Sequence, residues 1–161
     1  MLRSLFMAVL LAAWGLPALA SPEDTQVLSS VDQAQLWINV GGFSYHLERD
    51  QRFNEKNAGF GLEWRTSDEV AYMAGLYRNS VGKNTQYVAL NWQPWQIGPV
   101  RLGAAWGVMN GYPSISHGGS FFAALPIASM EGKRFGVNLG FIPKLGKVQS
   151  AVVLQFKWRL R

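Results

Sequence analysis

The chain has no cysteine, which excludes a disulfide-stapled scaffold and any Cys-ligated zinc or iron–sulfur site. It is poor in charge, 16% against 48% apolar residues over 161 positions, so intrinsic disorder is excluded. Beyond residue 20 no run approaches the roughly 18 apolar residues of a spanning helix. Catalytic signatures are missing too. There is no HExxH, no GxSxG elbow and no GxxxxGK[ST] phosphate loop. The two histidines, His46 and His117, are far apart among scattered acids and make no recognisable ligand set. Metal catalysis is therefore poorly supported. The 15 Lys and Arg are dispersed, with a net charge of only +5, a poor match for nucleic acid.

What is present begins with an export signal. Arg3 supplies a positive start, Leu5 to Trp14 an apolar run, and Ala18-Leu19-Ala20 a small-x-small site with cleavage expected before Ser21. No Cys follows the site, so the chain is not a lipoprotein. We expect a signal peptide over 1–20, a polar lead or short helix over 21–34, and a folded domain over 35–161. An exported chain does not meet the chromosome, and its basic groups more naturally face anionic lipid or lipopolysaccharide.

From Leu36 onward the periodicity is two. In the last segment Val152, Leu154, Phe156, Trp158 and Leu160 share one face, while Val153, Gln155, Lys157, Arg159 and Arg161 share the other. Phe60, Leu62 and Trp64 alternate with Gly61, Glu63 and Arg65, and Phe135, Val137, Leu139 and Phe141 with Gly136, Asn138 and Gly140. Eight strands follow, at about 35–46, 58–67, 70–80, 85–95, 100–110, 118–130, 133–143 and 150–161, close to the 9–11 residues of a tilted strand crossing a bilayer. The even count, short turns at one end and longer loops at the other fit an all-β, eight-stranded antiparallel transmembrane barrel of the bacterial outer membrane. Closure satisfies every backbone group without water. Alternation alone also fits a soluble lipocalin-type barrel. The large apolar residues opposite a Gly, Ala, Asn and charged face favour the membrane, as do the Trp residues near strand ends.

This topology puts His46 at the outer end of the first strand, and Arg78, Asn79 and Ser80 at the outer end of the third. A base, a hydroxyl and an amide would gather at one rim. Acyl transfer to or from a hydroxyl uses such a set: the imidazole takes the proton as the hydroxyl attacks, and Ser or Asn stabilises the developing oxyanion. The plainer reading is a wetted strand end beside an ordinary turn, Asn79-Ser80-Val81-Gly82. Pro94, Pro126 and Pro143 fall within or at the ends of strands, where a residue without an N–H can open a seam in the wall. Inward Gly103, Gly107, Gly136 and Gly140 would leave room for a lipid chain. Alternatively, the prolines mark strand ends and the glycines tight curvature.

The stretch from Arg52 to Gly61, the segment Gly75-Leu76-Tyr77 followed by Arg78-Asn79-Ser80, Arg101-Leu102-Gly103, Leu125-Pro126-Ile127-Ala128-Ser129 and Phe141-Ile142-Pro143 together resemble the outer-membrane lipid A palmitoyltransferase family (PagP). The resemblance implies an eight-stranded barrel that moves a palmitoyl chain from a phospholipid to lipid A without metal or cofactor. It places the family's functional His at His46 and its Ser at Ser80. The family's Asp falls on Asn79, which cannot stabilise an imidazolium by charge. The family's glycine at the floor of the acyl pocket falls by spacing on Asn91, which would shorten the pocket. The family's strand-one proline has no counterpart in Ile38-Asn39-Val40-Gly41-Gly42, leaving the seam of Pro126 and Pro143. Tyr77, Arg78, Asn91, Pro126 and Pro143 are then the substrate-binding candidates beside catalytic His46, Asn79 and Ser80.

The expected activity is acyl transfer, with a phospholipid donor, a lipid A acceptor and a monomeric enzyme in the outer membrane. The competing functions are a non-catalytic small barrel with binding or shielding loops, and a lipid A deacylase.

Overall fold

The computed structural model describes residues 34–48, 51–146 and 148–160. The expected signal peptide and polar lead lie outside the described residues. β1 (Gln35–His46), a two-residue β2 (Lys56–Asn57), β3 (Gly59–Arg65), β4 (Val70–Arg78), β5 (Asn84–Ile97), β6 (Val100–Met109), β7 (Phe121–Glu131), β8 (Phe135–Ile142) and β9 (Ala151–Arg159) form one antiparallel sheet. β1 also pairs with β9, from Trp37↔Arg159 to His46↔Ala151, and so closes the sheet on itself. The staves are β1 and β3 to β9, eight in all, as the alternation implied. β2 is an unexpected addition: Lys56 and Asn57 pair with Phe43 and Gly42, extending the wall where β3 has ended. The sixth expected segment, 118–130, starts later than its periodicity suggested, because Ser116–Gly118 forms a single 3-10 turn before β7.

The faces follow the parity of the sequence. Phe43, Tyr45, Phe60, Phe122 and Phe141 point outward near one rim, and Trp64, Tyr72, Trp92, Trp95, Phe135 and Trp158 near the other. Trp64–Tyr72, Trp92–Trp95 and Phe135–Trp158 are ring neighbours at 6.0, 6.1 and 4.4 Å. Between these two aromatic girdles lies an aliphatic band that includes Leu62, Val88 and Leu139, the surface a bilayer-spanning barrel presents. Trp37 is the exception, fully buried on the inner face under Arg159 and Lys157. The connections at the terminal rim, which carries the ends of the barrel at Gln35 and Arg159, are short: 66–69, 98–99 and 132–134. Those at the opposite rim include the long ones, 47–58, 110–120 and 143–150.

Pro94 does not end its strand. It sits inside β5, at a shift in register between Trp92 and Trp95, where a bulge absorbs the missing donor. Pro126 behaves differently. β7 pairs with β8 from Glu131↔Gly136 only as far as Ile127↔Gly140, although it pairs with β6 along its length, to Phe121↔Met109. Among the described residues, Phe121 to Pro126 therefore have no ladder partner on the β8 side. Pro143 follows directly after β8. The wall has a seam there, in the half of the barrel nearer the long loops.

Candidate functional site

The barrel interior divides in two. In the terminal half, inward side chains fill the bore with a balanced charge network. Lys157 Nζ donates to Glu63 at 2.6 Å and to Glu131 at 2.5 Å. Arg65 donates to Glu131 at 3.0 Å and to Gln93 Oε1 at 3.0 Å. Arg101 bridges Glu131 at 2.8 Å and Asp68 at 3.1 Å. Gln93, Ser129 and Asn138 continue the network, and Asn138 donates to Glu63 at 3.0 Å. Three acids face three cations, which offsets the desolvation that isolated charges would suffer.

Towards the long loops the interior is mixed: Ser44, Thr85, Tyr77, Tyr87 and Gln155 share it with small and apolar residues, some of which keep accessible surface. Gly75, Ala89, Gly107, Ala123, Leu125 and Val153 face inward but are only half-buried, whereas Met73, Asn91, Ala105, Ile127 and Lys157 on the same strands are buried. An inward residue that keeps accessible surface must border open space. Tyr87 crosses this region: its hydroxyl lies against Gly61 and Gly75 and accepts a bond from Gln155 at 3.4 Å. Asn91 sits where the change falls on β5, and its amide has no hydrogen-bond partner. The glycines do not supply the room. A Cβ at Gly140 would strike Leu125 and Val153, one at Gly136 would meet Lys157, and those at Gly103 and Gly107 would strike the β5 backbone. They allow close packing instead.

The candidate catalytic residues lie at the long-loop rim. His46 ends β1, points inward and is buried, with Phe53 stacked on its ring. It is thus a covered group, not the wetted strand end that spacing alone suggested. The segment carrying Phe53 also reaches Ser80: the Asn54 N–H donates to Ser80 O at 2.7 Å, and its amide donates to Asn79 O at 3.0 Å. Ser44 N donates to Glu55 O at 3.0 Å. Residues 53–55 therefore tie the end of β1 to the turn after β4. The Ser80 side chain is within reach of the Tyr112 hydroxyl, which burial holds above the ordinary phenol pKa, and Tyr112 meets the Tyr77 hydroxyl at 3.2 Å.

Asn79 is fully committed elsewhere. Its Nδ2 donates to Thr85 Oγ1 at 3.0 Å and to Gly111 O at 2.8 Å, and its Oδ1 accepts from Val81 N at 3.1 Å and Lys83 N at 2.9 Å. Both amide hydrogens and both lone pairs are used, so this residue locks two outer loops together. Arg78 is exposed, on the outward parity of β4, with its carbonyl accepting from Asn57 at 3.1 Å.

Sequence reasoning missed Phe53, Tyr112 and the charge network. Tyr112 and Phe53 lie in loops with no periodicity to flag them. Glu63, Arg65 and Lys157 were visible as charges on the inward parity of strands, where a closed bore obliges them to pair.

No known family model matches the chain, and no curated protein is significantly similar to it. Among solved structures, a de novo designed transmembrane β-barrel aligns with a TM-score of 0.53 at 10% identity, over 79% of this chain and 95% of that one. The N-terminal β-barrel domain of OprF from Pseudomonas aeruginosa aligns with a TM-score of 0.47 at 14% identity, over 80% of this chain and all of that domain. The chain is an eight-stranded antiparallel β-barrel of the transmembrane type.

Proposed function

We propose that this barrel is an outer-membrane acyltransferase that moves a fatty acyl chain, palmitoyl by the family resemblance, from a phospholipid to lipid A. The observation that carries the proposal is the seam above Ile127↔Gly140, beside which the inward apolar residues Ala89, Ala123, Leu125 and Val153 keep part of their surface accessible. An acyl chain could enter sideways from the bilayer and lie against apolar walls, with its ester at the rim that holds His46 and Ser80. Short turns on the periplasmic side and long loops outside orient the barrel so that this rim faces the outer leaflet.

In the chemical step, a lipid A hydroxyl attacks the phospholipid ester carbonyl while its proton passes to the His46 imidazole. The bond from the acyl carbon to the glycerol oxygen breaks, and that oxygen takes the proton from the imidazolium. The products are acylated lipid A and a lysophospholipid. Ser80 is the oxyanion donor, because the Asn79 amide has no hydrogen to spare. Phe53 must leave the imidazole for the hydroxyl to reach it.

Lipid A mass spectra from cells exporting the chain test this reading. An added acyl chain that His46→Ala and Ser80→Ala abolish supports it. Loss of a chain would indicate the deacylase instead. No change with folded protein in the outer membrane would indicate a non-catalytic barrel, the alternative that the cover on His46 and the structural commitment of Asn79 favour.

A further inference from the structure

At the terminal rim, remote from His46 and Ser80, Lys133, Arg134, Trp158, Arg159 and Leu160 line a cleft of about 360 Å³. Its charge is of one sign. The acids nearest in sequence are engaged elsewhere: Glu131 holds Lys157, Arg65 and Arg101, and Asp68 holds Arg101. Among the described residues no acid pairs with Lys133, Arg134 or Arg159. Arg159 is held in place by a bond from Nη2 to Gly132 O at 3.1 Å and by the Trp37 ring 4.6 Å beneath its guanidinium. The turn that carries Lys133 and Arg134 is pinned by Arg159 N to Arg134 O at 2.8 Å and Gly132 N to Phe135 O at 2.8 Å.

The other side of the cleft is lipid-facing. Trp158 and Leu160 lie on the outward parity of β9, and Trp158 packs edge-on against Phe135 at 4.4 Å. Cations directly below an outward aromatic wall mark the depth at which a bilayer places its phosphates, with the acyl chains continuing along the wall. We propose that this cleft binds the phosphate of an anionic glycerophospholipid of the periplasmic leaflet, with Lys133 and Arg134 on the anion and the acyl chains on Trp158 and Phe135. The proposal rests on the bilayer setting and is independent of the acyl-transfer reading. The site would anchor the barrel at a fixed depth.

Native mass spectrometry of the detergent-solubilised, folded chain, titrated with phosphatidylglycerol or with phosphatidylcholine, tests it. With one to two cations engaged on the anion, the wild type should retain one phosphatidylglycerol about five- to thirtyfold more tightly than phosphatidylcholine. The preference should shrink with added salt. The double variant Lys133→Gln/Arg134→Gln should lose the preference, and Lys133→Arg should keep it. Heat-shifted gel migration checks that each variant is folded, and Lys133→Glu provides a second probe in the same exposed turn. Inorganic phosphate should not displace the lipid. Unchanged preference in the folded double variant and in Lys133→Glu would overturn the proposal. Displacement by inorganic phosphate would also overturn it, since the cleft would then be a site for the free anion.

Discussion

The Phe53 ring lies on the His46 imidazole with centroids 4.0 Å apart and planes 17° from parallel. Phe53 comes from the loop after β1, so the cover belongs to the same segment whose next residue is bonded to Ser80 O. Phe53→Ala should therefore uncover the imidazole. Carbethoxylation of His46, followed by mass spectrometry, should become several-fold faster. His117 is exposed in the wild type and should react equally in both proteins, which makes it an internal control. An unchanged His46 rate would mean that Phe53 does not shield it.

Asn79→Asp separates a structural role from a catalytic one. A carboxylate cannot donate to Gly111 O, and placing it there sets two acceptors against each other. Leaving buried groups unpaired costs about 1–3 kcal/mol. The expected outcome is a loss of stability in this range, with faster proteolysis in the loop 110–120. Unchanged stability together with a gain of activity would show that Asp restores a catalytic partner and that the turn does not need the amide.

Asn91 is fully buried with both amide atoms unpartnered. Replacing such a group by an apolar one of similar size removes a desolvation cost. Asn91→Leu should stabilise the barrel by about 1 kcal/mol in urea unfolding. If Asn91 floors the acyl pocket, Asn91→Gly should also lengthen the chain transferred to lipid A, measured in the same mass spectra. A destabilised Asn91→Leu would show that the amide has a role in the floor.

Lys157 sits between Glu63 and Glu131 with no exposure of its own side chain. Lys157→Met leaves Glu63 without its shortest partner and should cost about 3–5 kcal/mol. Glu63→Gln in the same chain should restore a large part of that loss. A Lys157→Met barrel as stable as wild type would mean that the network is not what fills the bore.

Much of the fold was legible because a barrel wall has one rule, alternation, and segments such as Phe60 to Arg65 and Val152 to Arg161 obey it without interruption. Strand number, facing and closure followed from that rule. β2 was not legible: Lys56-Asn57 is too short for any periodicity, and it exists because β1 outruns β3. The site was legible only in part. Parity and topology put His46 and Ser80 at one rim, but alternation says nothing of what a loop side chain covers, so Phe53 and Tyr112 were invisible. Asn79 was read through its resemblance to an acid, while its actual work depends on Gly111, a distant loop residue that no local pattern connects to it.

The same rim carries a pH-sensitive clamp. Glu48 accepts from Ser150 N at 3.0 Å and from Ser150 Oγ at 2.9 Å, and pairs with Lys144 at 3.3 Å. Desolvation pushes its pKa up, but the bonds from Ser150 and Lys144 outweigh this and hold it below the ordinary 4.5. A carboxyl with a depressed folded pKa stabilises above its unfolded pKa, and that contribution is lost as pH falls through the folded value. Amide exchange at Leu47 N, which donates to Ser150 O, should therefore show increased opening below about pH 4.5, after correction for intrinsic exchange. Glu48→Gln should remove that pH dependence. Equal dependence in both proteins would exclude the clamp.

The most direct measurement is transfer by the purified, folded barrel in detergent micelles, using a phospholipid with a radiolabelled acyl chain and unlabelled lipid A, resolved by thin-layer chromatography. Label should appear on lipid A with the wild type, and none with His46→Ala. Label appearing only as free fatty acid, or transfer undiminished in His46→Ala, would contradict the acyl-transfer reading.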